Sequence, residues 1–163
     1  MTLRDVFVWL DANLPGSVYL RESLYGFAFL LTTHVLTMLL FLGLIIMMDL
    51  RLVGLAHLGT PTPQIQKRLF PWQMFGFALC NITGGLLVYA QPLRYYGKGY
   101  FWLKMGLMAL AGLNALVIHR ITFRSEALWD SKAARLAGAF SLVLWAGVVC
   151  SGRLVAYQWW TYE

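Results

Sequence analysis

The chain has 163 residues, of which 60% are hydrophobic and 12% charged, with a mean hydropathy of +0.64. Soluble domains carry about 25% charged residues, so this balance excludes an ordinary water-soluble domain and fits one domain that crosses a membrane several times. The net charge of +6 is no nucleic-acid footprint, because the basic residues are scattered over the ends of apolar segments, where they report orientation.

Residues 2–14 place Val6, Phe7, Trp9, Leu10 and Leu14 on roughly one helical face, with Arg4, Asp5 and Asp11 elsewhere. This predicts a short helix lying in the membrane interface, over residues 1–16, with Trp9 at headgroup level. The first 22 residues lack the apolar core of a cleavable signal peptide. Pro15-Gly16 breaks this helix, and Ser17 offers an N-cap for the next.

The first span, about 24–50, is an apolar run holding His34 among Thr32, Thr33 and Thr37 and ending in Asp49 and Arg51. An imidazole at membrane depth is costly without a partner. Thr60-Pro61-Thr62-Pro63 is expected to stop any helix, and Pro71 to open the second span, about 71–90, which carries Cys80, Asn81, Thr83 and Gly84-Gly85. The small residues would admit a close neighbour. A third span, about 100–119, holds Lys104 and Asn114 and ends in His119-Arg120. A fourth, about 134–157, holds Gly138, Gly147, Cys150 and Gly152-Arg153. Four spans with short connections predict an all-α, up-down transmembrane four-helix bundle. Lys67, Arg68, Arg120, Arg124, Lys132 and Arg135 fall in the first and third loops. Placing them in the cytoplasm puts both termini outside. Both cysteines are expected as buried thiols.

Depth counting at about 1.5 Å per residue puts His34 near the midplane, level with Cys80 and Asn81. It separates His34 from His119 by about 15 Å, which opposes a haem clamped between the two. The alternative is a haem in the outer half, ligated by His34, with Arg153 or Lys104 neutralising its propionates. His119 is then the weaker candidate ligand, and Asn81 a neighbour of the site. A purely structural alternative has His34 hydrogen-bonded to Asn81 or a threonine hydroxyl. His57 reads as a solvated loop residue. Asp49 and Arg51 do not face each other and would pair with other helix ends, for example Asp49 with Arg120 or Arg135. Met38, one turn after His34, raises a Cu(I) site shared with Cys80. No paired carboxylates, phosphate loop or nucleophile–base pair supports hydrolase or NTPase chemistry.

The segments DLRLVG at 49–54, Pro71-Trp72 with TGGLL at 83–87, KMGLMALAGLNALVIH at 104–119 and LWAGVVCSGRLVAY at 144–157 together resemble a family of small bacterial inner-membrane proteins known only as a domain of unknown function. More loosely, the chain is similar to membrane bundles of the cytochrome b561 and copper-resistance D types. There, intramembrane histidines ligate haem or handle metal, although the paired histidines at matching depths of cytochrome b561 are missing here. The resemblance implies a multi-pass inner-membrane protein. The expected function is that of a haem b-binding electron-transfer subunit working with a quinone, a periplasmic carrier or a partner redox protein. A non-catalytic subunit packing its glycine faces against partner helices, in a homo- or hetero-oligomer, and a copper-handling protein are the alternatives.

Overall fold

The computed structural model describes residues 2–23, 25–122 and 131–157, without the side chains of Val18 and of residues 119–122. Within these, all regular structure is helical: α1 (Leu3–Asn13), α2 (Ser17–Glu22), α3 (Gly26–Val53), α4 (Thr62–Ala90), α5 (Pro92–Tyr96), α6 (Gly99–Thr122) and α7 (Lys132–Tyr157). Helices α3, α4, α6 and α7 are long and apolar enough to cross a membrane. At 28 residues, α3 is about 42 Å long. Its Leu36, Leu39 and Leu40 stand more than half exposed, as expected of a surface built to meet lipid rather than water.

The helix ends follow local chemistry. Thr2 caps α1 in a reciprocal capping box, its hydroxyl accepting from the Asp5 amide while the Asp5 carboxylate accepts from the Thr2 amide. These two bonds hold the Asp5 carboxyl below its ordinary range. Gly54, at φ 88°, closes α3 in the left-handed conformation that glycine adopts without penalty. Ser17 does not cap α2, because Gly16 takes that place. Ser17 lies inside the first turn, and its hydroxyl donates to the Leu14 carbonyl at 2.9 Å.

The helix α4 differs from its sequence expectation. It begins at Thr62, about nine residues early, and Pro71 lies within it. Pro63 fits the first turn, where a missing N–H costs nothing. Pro71 is then tolerated in the interior, with Ile65 and Leu69 before it packed against the Met48 and Leu52 cluster and Gln73 after it donating to the Leu44 carbonyl. The expected turn at 91–99 contains the short helix α5. α1 packs on α5, with the Phe7 ring 5.0 Å from Tyr96 and 6.3 Å from Trp102, while Trp9 remains exposed.

α3 packs along both α4 and α7, and α6 packs along α7. Glycines set these distances. A Cβ on Gly76 would sit 3.2 Å from the Phe41 Cα, one on Gly138 only 2.9 Å from the Leu52 Cβ, and one on Gly147 3.1 Å from a Leu107 methyl. Phe41, Ala111, Leu144, Trp145 and Val148 form the main core, with Phe41 edge-on to Trp145 at 5.0 Å. Met48, Leu52 and Ala134 form a second one toward the α3 C-terminus. Polar side chains tie neighbours to each other's backbone: Gln73 donates to the Leu44 carbonyl at 3.1 Å, Asn114 to Ala137 at 3.1 Å, and Lys98 to Val155 at 2.6 Å. In an apolar surround such bonds replace water as the partner of exposed helix carbonyls.

Filling the tightest contact should separate α3 from α7. Gly138→Leu is expected to cost about 3 kcal/mol of stability, as overpacking against a neighbouring Cβ does. Equilibrium unfolding in mixed detergent measures it, with Gly112→Leu, which has open space around it, as the near-neutral control.

Candidate functional site

Because α4 and α6 do not pack along each other, a cleft remains between them, floored by α3 and α7. It holds about 360 Å³, within the range of small-ligand cavities. His34, Met38 and Phe41 rise from its floor, Phe77, Cys80, Asn81 and Gly84 line the α4 side, and Lys104, Met105 and Met108 the α6 side. Phe77, Asn81, Gly85 and Met105 are exposed on the outer surface, so the cleft opens sideways between the two helices. A smaller chamber of about 150 Å³ shares His34, Gly84, Val88, Phe101 and Lys104 with it. That chamber extends the space toward Arg94 and Lys98 at the end of the bundle.

His34 is buried, and its Nδ1 lies 3.0 Å from the Thr83 hydroxyl of α4. That hydroxyl donates to the Leu79 carbonyl at 2.9 Å, and Thr37 donates to the His34 carbonyl at 3.0 Å. Both hydroxyl protons have acceptors other than the ring, and the tautomer that uses all of these bonds at once has Nδ1 donating to Thr83. In that tautomer Nε2 keeps its lone pair. Gly84 makes room for the ring, since a Cβ there would meet its Cε1 at 3.1 Å. An imidazole whose Nδ1–H is held by an oxygen and whose Nε2 keeps its lone pair is arranged as metal-ligating histidines are.

Lys104 is the second polar element. It lies within Coulombic range of His34 and Cys80, and its ammonium packs where a Gly152 side chain would stand, 3.5 Å away. Among the described residues it has no hydrogen-bond acceptor or ion-pair partner. The described ion pair of the chain, Arg21 with Asp11, lies elsewhere. A lysine at membrane depth costs up to about 3 kcal/mol, which an anionic or strongly accepting ligand would offset.

The structure brings His34, Lys104 and Asn81 to one cleft. The Asn81 amide, however, donates to its own helix at the Phe77 carbonyl, 2.8 Å away, and Thr83 takes the imidazole. Arg153 stands apart on the exposed side of α7, with its guanidinium on Tyr157 at 2.8 Å from the phenol oxygen and 4.9 Å from the ring centre. The His119 side chain is outside the described residues, as are those of Arg120, Arg124, Glu126 and Asp130. The His119 backbone lies about 22 Å along α6 from Lys104 by helical rise, beside Ile118, which lines a different cavity. His57 is exposed in the α3–α4 loop at φ 55°. Cys80 is half-buried at the cleft, whereas Cys150 is exposed on α7 rather than buried, and both are free. Among the described residues, no three His, Cys, Asp or Glu side chains gather as a metal site. The sequence reading named Asn81 or a threonine hydroxyl as the imidazole's partner without singling out Thr83, which takes that place. Its place one turn from Leu79 and Cys80 on a glycine-bearing face was the available signal.

No protein-family model, curated protein or solved structure matches this chain.

Thr83→Val keeps the shape of the side chain and removes the acceptor. It is expected to cost 1–3 kcal/mol, the penalty for an unsatisfied buried donor. The imidazole ¹⁵N resonances should lose the protonated Nδ1 signature in the same variant.

Proposed function

We propose that this chain is a multi-pass membrane subunit that binds haem b in the α4–α6 cleft and passes single electrons between a quinone or carrier protein and a partner redox protein. The observation that carries the reading is a buried imidazole bonded to Thr83 through Nδ1, set in an apolar cleft beside an ammonium that has no acceptor or ion-pair partner among the described residues. The residues fit the group. His34 would supply a ligand nitrogen, Gly84 leaves room beside the ring, Phe41, Phe77 and Phe101 would give apolar contact, and Lys104 would balance a propionate charge. When bound, haem b cycles between ferric and ferrous iron and so carries one electron.

The chain's own contribution is positioning. Thr83 fixes the ring of His34 and strengthens its donation. Phe41 and Trp145 close the floor against water. Lys104 balances negative charge that would otherwise be stranded in an apolar surround. In this reading the four long helices form an up-down bundle in a bacterial inner membrane, with Lys67, Arg68, Lys132 and Arg135 on the cytoplasmic side. The short helix α1 then lies at the outer interface.

Protein purified after expression with ample haem should show a Soret band and a dithionite-reduced α band. His34→Ala should bring both to background, and Lys104→Met should weaken haem retention roughly tenfold, the worth of one charge-assisted bond. A blank spectrum from folded wild-type protein rejects the reading.

One observation favours a second reading. His34, Met38 and Cys80 line the same cleft, and an imidazole, a thioether and a thiol make a donor set suited to Cu(I). Metal analysis after chelator-free purification decides it. Copper near one per chain, lost in Met38→Leu and Cys80→Ser, supports this reading, and copper at background rejects it.

A further inference from the structure

At the C-terminal end of α3 a second cavity, of about 60 Å³, lies between all four long helices. Its wall is unusual for an apolar bundle. Asp49 is 4% exposed and its Oδ2 has no hydrogen-bond partner. Gln66 Oε1 and Trp145 Nε1, on the same wall, have none either. Buried polar atoms are nearly always satisfied, and three orphans around one void point to something that sits in it.

The kinds of atom left over identify the occupant. Two are acceptors and one is a donor. A bare cation would satisfy the two oxygens and leave the indole N–H facing positive charge. A water molecule matches all three, because it donates to Asp49 Oδ2 and Gln66 Oε1 and accepts from Trp145 Nε1. The void is roomy enough, since one water needs about 10–15 Å³.

Among the described residues, Asp49 is also the lone ionisable group of this wall: α4 contributes Gln66 and Gln73, α7 contributes Ser141 and Trp145, and α6 contributes Ala115 and Ile118. Gln73 is committed to the Leu44 carbonyl, and Ser141 lies in hydrogen-bonding reach of the Asp49 carboxyl. On α3 the nearest cation, Arg51, turns its Nε to the Thr60 carbonyl at 3.0 Å. No ion pair to Asp49 is made among the described residues. The expected pairing of Asp49 with Arg135 is replaced by this uncharged polar cage, with Arg135 exposed.

We propose that this cavity is a proton-exchange site, in which Asp49 takes up and releases a proton through a water trapped against Gln66 and Trp145. On uptake, an O–H bond forms at Oδ2 and one breaks on a hydronium ion. That ion leaves as water, and no electron moves. The site is about 7 Å of helical rise below Gly54, so the exchange is with the α3 C-terminal face. Ionisable groups kept inside spanning helices mark ion pathways, proton relays, voltage sensors or ligand counter-ions. This site is independent of any cofactor in the α4–α6 cleft.

Infrared spectra of the full chain in lipid nanodiscs, taken across the pH range in which it stays folded, test the proposal. A carboxylic C=O band should appear and vanish with pH, be absent in Asp49→Asn, and shift at once on transfer to D₂O. Trp145→Phe and Gln66→Leu, which keep Asp49, should each move its frequency. These two variants also assign the band if Asp49→Asn does not fold. A band missing at every pH, one unmoved by D₂O, or one indifferent to both cage variants overturns the proposal.

Discussion

The bundle depends on how closely α3 can lie against α4 and α7, and glycine sets that distance. Gly76 faces Phe41, Gly84 faces His34 and Gly138 faces Leu52, each at a separation that leaves no space for a Cβ. With lipid as solvent there is no water to expel from between helices, so close packing and hydrogen bonds must hold them together. The contact at Gly138 also brings the Asp49 carbonyl within 3.2 Å of where its Cβ would be. That puts the α7 backbone over the Asp49 turn, beside the wall of the inner cavity.

The arrangement leaves α6 attached through α7 and not along α4. What this opens is the cleft, and the polar residues on its walls divide by how they are satisfied. His34 is bonded to Thr83 through Nδ1, Asn81 is turned back on its own helix, and Lys104 is unpaired among the described residues. The opposite end of the bundle holds a carboxyl and a cage of neutral polar groups. Trp145 is common to both, lining the cleft with its ring and presenting its unbonded N–H on the wall of the inner cavity. The chain thus separates a basic compartment from an acidic one by a single indole.

Much of this was legible in the residues. The four long apolar helices, the short helix at the N-terminus and the close-packing role of Gly84 follow from hydropathy and residue size. The depth count put His34 level with Cys80 and Asn81, and all three reach one cleft. It also separated His34 from His119. What was hidden depends on rotation about the helix axis, which depth counting does not address. Asn81 and Thr83 differ by two residues and so by about 200° around α4 at 3.6 residues per turn. Only Thr83 faces α3. Cys150 faces outward for the same reason. The extra turns of α4 were hidden because Pro71 reads locally as a start, whereas the packing of Ile65 and Leu69 and the bond of Gln73 to Leu44 flank it. Gln66 and Gln73 are seven apart, two turns on one face, and that spacing was the readable sign of a polar interior.

The sideways mouth of the cleft governs how any ligand reaches it. With these helices spanning a bilayer, a molecule entering between α4 and α6 would arrive from the hydrocarbon layer without crossing the aqueous boundary of the protein. Its occupancy is then set by its mole fraction in the bilayer, and the partition coefficient of the ligand becomes part of the apparent binding constant. Two preparations of equal bulk ligand concentration but different lipid content would fill the cleft to different extents, because added lipid dilutes the ligand in two dimensions.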